Sequence, residues 1–203
     1  PMHVYRTAGV LAGLGLSYGG ATTEEDVVGL IFADQGIDLS KISGDIKIVS
    51  YLQGYGDTTT DEINAAIQAA PEAFISVGMA TTFFTQQLNA AGIEFSDIDS
   101  FTKSNGEAIT NGKLVYLAGK YSSSVGPAFA LVMNAINGNV IRDAQGNAVS
   151  LSQNYQVATD SETFDKFYKN DNGDNPIYSR DTLDQIIGDT VTFDTINEVV
   201  ASN

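Results

Sequence analysis

Gly92–Asn139 reads GIEFSDIDSFTKSNGEAITNGKLVYLAGKYSSSVGPAFALVMNAINGN, and its punctuation spells strand, helix, strand, helix. A short run ends in Asp97-Ile98-Asp99. A polar helix carrying Ala108 and Ile109 follows. Asn111-Gly112 marks a tight turn, and Leu114 to Ala118 is an apolar strand. Lys120 to Ser124 is a polar stop before a long amphipathic helix. That helix sets Val125, Phe129, Val132, Met133 and Ile136 at offsets 0, 4, 7, 8 and 11, a spacing that predicts one face turned to the core. Gly138 stands where a C-terminal cap belongs. Strands alternating with helices imply an α/β fold, a parallel sheet with helices packed on its faces.

The same alternation extends to both sides. Upstream, residues 4 to 16 read as a helix with Val4, Ala8 and Leu11 on one face, ended by Gly13, Gly15, Gly19 and Gly20. Thr23 before Glu24, Glu25 and Asp26 is a helix start, with acids where the positive end of the dipole favours them. The next stretch reads as helix ending at Gly36, with a buried strand over Val27 to Phe32 as the alternative. Ile46 to Leu52, rich in β-branched residues, reads as a strand. Thr58 to Thr60 cap a helix with Ile63, Ala66, Ile67 and Ala70 on one face, and Pro71 stops it. Phe74 to Val77 is a short buried strand, Gly78-Met79 the loop after it, and a helix through Phe84, Leu88 and Ala91 ends at Gly92.

Downstream, Val140-Ile141 and Val149 to Leu151 flank a turn and read as a β-hairpin. Tyr155 to Ala158 is a last strand. Helices over Phe164 to Tyr168, Leu183 to Ile187 and Ile196 to Val200 close the chain. The expected organisation is one lobe over residues 1–203, an α/β core over 1–158 and a helical tail over 159–203.

Bulk properties exclude several classes. At 203 residues and 43% hydrophobic, the chain is long and apolar enough to bury a core. No apolar run nears the ~18 residues that span a bilayer. A net charge of −15, from 25 acidic and 10 basic residues, argues against nucleic acid and anionic membranes, which need basic patches. With no cysteine there are no disulfides and no thiolate chemistry.

The central stretch resembles the C-terminal lobe of the type I periplasmic solute-binding proteins, the ribose- and galactose-binding group. The lac-repressor-like regulators share that fold. The residues that carry the resemblance are Asp99 at a strand end, Ala108-Ile109, Gly112-Lys113-Leu114, the polar Lys120, and Gly126 opening the last helix. Arg6-x-x-Gly9 resembles the mark of the first helix in that lobe, and Tyr178 to Asn203 resembles the tail of many sugar-transporter binding proteins. The resemblance implies a three-layer sheet with helices on both faces plus C-terminal helices. It also implies a native C-terminus, a first lobe lying before residue 1, and an insertion over Ala21 to Asp45.

Ligands of open parallel sheets bind outside the carboxyl ends of the strands, so residues just past each strand are the candidates. The Asp99 carboxylate can accept two hydrogen bonds from neighbouring sugar hydroxyls, the use the family makes of its matching Asp; the alternative is a cap for the helix starting near Thr102. Arg6 matches the family's ligand-contacting Arg and offers five donors in a fixed fork. Lys120 stands where the family usually has Gln and, as a donor only, favours acceptor-rich or acidic ligand groups. Gly78 and Met79 replace a frequent Asn-Asp pair. Tyr55, Phe101 and Tyr121 are placed to stack on a sugar ring, with core packing the commoner fate of such residues. The resulting set is Arg6, Met79, Asp99, Phe101, Lys120 and Tyr121.

Three other signals lead elsewhere. Gly13-x-Gly15-x-x-x-Gly19 follows a helix and not a strand, the wrong geometry for a phosphate turn. Asp171, Asn172 and Asp174 lack the Gly and Glu placement of an EF-hand. His3 is the single histidine, which excludes a zinc site built on several histidines.

The resemblance implies a binding protein without cofactor: the extracytoplasmic (periplasmic or lipoprotein) receptor lobe of an ABC-type importer, its partners a carbohydrate, a first lobe and a membrane permease. The alternative it leaves is the effector domain of a repressor-like regulator. A third reading is an enzyme with Asp97 and Asp99 as paired carboxylates on one face of a strand, though no nucleophile with an oriented base accompanies them.

Overall fold

A computed structural model describes residues 2–53, 58–119, 125–171 and 176–202. The chain is mixed α/β, with a four-stranded, mostly parallel sheet flanked by helices. It divides into two compact units, Pro1–Ile98 with Ala108–Leu117, and Asp99–Glu107 with Ala118–Asn203.

The first unit opens with helix α1 (Met2–Gly13), whose buried face carries Val4, Ala8 and Leu11. Strand β1 (Ser17–Tyr18) follows, then α2 (Glu24–Ala33). The cap at Thr23 forms as its sequence predicts, with Oγ1 accepting from the Asp26 N–H, so the helical reading of Val27 to Phe32 holds. Val27, Val28 and Ile31 pack with Val4, Ala8, Leu11, Leu16 and Tyr18 in one cluster. The segment that the resemblance treats as an insertion therefore supplies three of the eight buried residues of this core.

Strand β2 (Ile42–Ser43) pairs antiparallel with β1. A small polar network ties the connection between them. The Tyr18 hydroxyl donates to Asp34 Oδ2 at 2.7 Å and accepts from the Asp38 N–H at 3.0 Å. Lys41 pairs with Asp34 Oδ1. The hydrogen bond from Lys41, then that from Tyr18, holds the Asp34 carboxyl below its ordinary range.

Ile46 to Leu52 forms no strand, contrary to its β-branched composition. Ile48 packs against the α1–α2 cluster while Ile46 and Val49 stay exposed. β-branched composition favours extended backbone, but only a neighbouring strand makes a sheet.

Helix α3 (Thr60–Gln68) starts with a full capping box between Thr59 and Glu62 and buries Ile63 and Ala66. β3 (Ala73–Ile75) follows. Two short helices, α4 (Ala80–Phe83) and α5 (Thr85–Ala91), stand where one is predicted, and Gly92 caps the second in the left-handed conformation. β4 (Glu94–Ile98) runs parallel to β3, with Phe74 opposite Phe95.

Helix α6 (Lys103–Thr110), strand β5 (Leu114–Gly119) and helix α7 (Gly126–Ile136) continue the predicted alternation. The sheet order is β3-β4-β5-β6, where β6 is Gln156–Ala158. Bonds run from Phe95 N to Lys113 O and from Asp99 N to Ala118 O. The first strand advances four residues between them and the second five, so β5 carries one extra residue, a bulge. Its place is visible in Val115 and Tyr116, adjacent residues that are both exposed between buried Leu114 and Leu117.

In the second unit α7 departs from its expected orientation. Val125, Phe129, Val132 and Ile136 are 61, 49, 57 and 71% exposed, and the buried residues are Gly126, Pro127, Ala130 and Asn134. Small residues let neighbours come close: a Cβ on Gly126 would meet Tyr178 at 2.9 Å. Asn134 is fully buried, donating from Nδ2 to the Ile186 carbonyl and accepting the Gly188 N–H on Oδ1, both at 2.8 Å. A buried amide with both ends satisfied fixes the inward side, and the apolar stripe is left outside. Ala130 joins Ile186, Ile196 and Val200 in this unit's core.

The helices α8 (Ser161–Asp171), α9 (Arg180–Gln185) and α10 (Phe193–Ala201) match the three predicted in the tail. The expected hairpin reduces to one bridge, Arg142 to Ala148, closed by bonds from the Gln145 and Asn147 N–H groups to Asp143 Oδ1. The chain between is short enough that the Asp side chain completes the turn without a ladder.

Candidate ligand-binding site

In the first unit, polar groups collect where β3 and β4 end. Ser76 follows β3 directly, is buried, and accepts the Gly78 N–H on Oγ at 3.0 Å. Its own N–H continues the ladder to the Ser96 carbonyl. Arg6, half-buried on α1, sends Nη1 to the Val77 carbonyl at 2.7 Å. The helix and the strand end are thus joined by a charge-assisted bond.

Met79 takes the left-handed conformation at φ 61° and caps α4. Its carbonyl accepts the Thr82 and Phe83 N–H groups. A non-glycine residue there is strained, and such strain gathers at functional sites. Asp97, near the end of β4, is buried. Its Oδ2 accepts the Thr81 N–H at 3.2 Å and its Oδ1 the Ile98 N–H at 2.9 Å. Two backbone N–H groups thus fix the carboxylate in place.

Arg6 and Met79, both candidates on sequence grounds, stand at this rim. Ser76 escaped it, although its position one residue past β3 is the signal that would have found it. Asp97 entered only as half of a catalytic pair. As one of a pair it fits poorly, since both of its oxygens are engaged by backbone N–H groups and Asp99 lies past the last residue of β4.

In the second unit, Asp99 is half-buried, with Oδ1 accepting the Ser100 N–H at 2.7 Å. It does not cap α6; that role falls to Thr102, whose Oγ1 accepts the Asn105 N–H. Gly119 matters here, because a Cβ on it would run into the Asp99 carbonyl oxygen. Phe101 is buried, 5.8 Å from the ring of Phe164 and 5.2 Å from that of Phe167. Its ring serves the core, the commoner fate of such an aromatic. Lys120, Tyr121 and Tyr55 lie outside the described residues, as do Asn172, Asp174 and the side chain of Asp171.

Among the described residues no cluster of three or more acidic or histidine side chains could hold a metal ion, and no helix is long and apolar enough to cross a membrane. No family model, no curated protein and no solved structure matches the chain.

Proposed function

We propose that this chain binds a small hydroxyl-rich solute, a sugar being the class that suits it best, as the second lobe of an extracytoplasmic receptor serving an ABC-type importer. The observation that supports this most is the gathering, within the first unit, of Arg6, Ser76, Met79 and Asp97 around the carboxyl ends of two adjacent parallel strands. A hydroxyl group both donates and accepts. The half-exposed Arg6 guanidinium at this rim, with Ser76 and Asp97 buried behind it, suits a ligand rich in hydroxyl oxygens better than an apolar one. The action is non-covalent: the ligand is gripped and released, with no turnover.

The test is an amide-resolved NMR titration of this chain with a panel of neutral and acidic monosaccharides. Shifts at Val77 to Thr81, saturating in the millimolar range, are expected. Arg6→Lys keeps a cation for the Val77 carbonyl but loses the planar fork, and it should weaken binding roughly tenfold, about 1.4 kcal/mol. If no sugar moves these amides, the proposal fails.

A further inference from the structure

The outward stripe of α7 is a regular object. Val125, Phe129, Val132 and Ile136 are spaced 4, 3 and 4 residues apart, which is the a/d alternation of a coiled-coil seam. A seam of that period accepts a second helix, because its side chains stand as knobs for holes on a facing helix. Val140, four residues beyond the end of α7, is also 53% exposed and extends the apolar surface in sequence.

Charge decides which helix. No charged residue occurs between Tyr121 and Ile141, so the positions flanking the seam hold nothing that selects a foreign partner through ion pairs. In a chain of net charge −15, such a window lets two copies meet face to face without opposing carboxylates at the contact. The four exposed side chains of the stripe present roughly 400 Å² per copy, and so about 800 Å² in a pair before the small residues between them are counted, the size of a weak, transient contact.

We infer that α7 is a self-association surface, through which two copies of this chain form a weak, reversible dimer by an isologous pairing of their α7 helices. The remaining surface repels, since each copy carries the same large negative charge. Added salt shortens the reach of that repulsion and leaves the apolar seam intact, so the dimer strengthens as ionic strength rises.

Sedimentation equilibrium of the full chain over a wide concentration range tests this at low and at high sodium chloride. Half-association near 100 μM is expected from an interface of this size (about 5–6 kcal/mol), tightening severalfold from about 0.05 to about 0.5 M salt. Val132→Glu places a carboxylate in the middle of the seam and should abolish dimerisation while circular dichroism and urea unfolding stay unchanged. A chain that remains monomeric at about 1 mM in both salts overturns the inference. So does a dimer indifferent to Val132→Glu, or one that weakens with salt, the behaviour of an interface held by opposite charges.

Discussion

Replacing Asn134 tests which side of α7 faces inward. Asn134→Ala removes both bonds of a fully buried amide and leaves the Ile186 carbonyl and the Gly188 N–H without partners. A buried group left unpaired costs about 1–3 kcal/mol. Ile186 is fully buried, whereas Gly188 is half-buried and can recover part of its loss from water. The sum is about 2–4 kcal/mol, a large share of the 5–15 kcal/mol that typically holds a domain. Urea unfolding at low micromolar concentration measures it, and hydrogen exchange at Gly188 should accelerate in step. Ile136→Ser is the opposing measurement. With 71% of Ile136 already exposed, that substitution should cost within about 0.5–1 kcal/mol. Were the apolar stripe turned inward as its spacing suggests, the order would invert: Ile136→Ser would cost about 2–5 kcal/mol and Asn134→Ala almost nothing. Finding Ile136→Ser the more damaging of the two would refute the orientation.

Lys41→Met should flatten the acid side of the stability profile. Asp34 is held below its ordinary range by Lys41 first and Tyr18 second, so the folded chain keeps it charged where the unfolded chain takes up a proton. Its contribution is complete above the ordinary carboxylate range and is lost as pH falls through the depressed value, from about pH 5 downward. Urea midpoints taken across that range should fall less steeply in the variant, and equal slopes would count against the pairing. Gly119→Ala drives a methyl into the Asp99 carbonyl oxygen, a backbone atom that cannot rotate away. It should cost about 3 kcal/mol or more, with the amides of Asp99 and Ser100 displaced in NMR spectra; a loss under about 0.5 kcal/mol would contradict the close approach.

Local chemistry was legible wherever one short signal settles the outcome. Thr23 and Thr59 cap the helices their sequence context names, Gly92 ends α5, and Gly112 turns the chain into β5 at φ 66°. These depend on neighbours within four residues. Where distant contacts decide, a local pattern does not carry the outcome. Ile46 to Leu52 has strand composition, but a ladder needs a second strand at the right distance, and no sequence window contains that information. The amphipathic period of α7 identified a helix and misjudged its face, because one buried amide and three small residues outweighed four large apolar ones. Met79 could be singled out from its place in the loop after β3, whereas Arg6 came only with the family resemblance. Asp97 and Ser76 could not be ranked above Asp99 without knowing that Thr81, at the start of α4, folds back to bond the Asp97 carboxylate.

The extra residue in β5 acts as a phase shift. The bonding offset exchanges the faces taken by the residues after Tyr116, and there Leu117, Ala118 and Gly119 are all buried, so both faces of the strand end are covered. Deleting Tyr116 would leave every remaining side chain chemically intact and still make Leu117 and Ala118 trade faces, each into a space shaped for the other. An evolving lineage could therefore substitute freely at Val115 or Tyr116, yet tolerate neither insertion nor loss between Leu114 and Leu117.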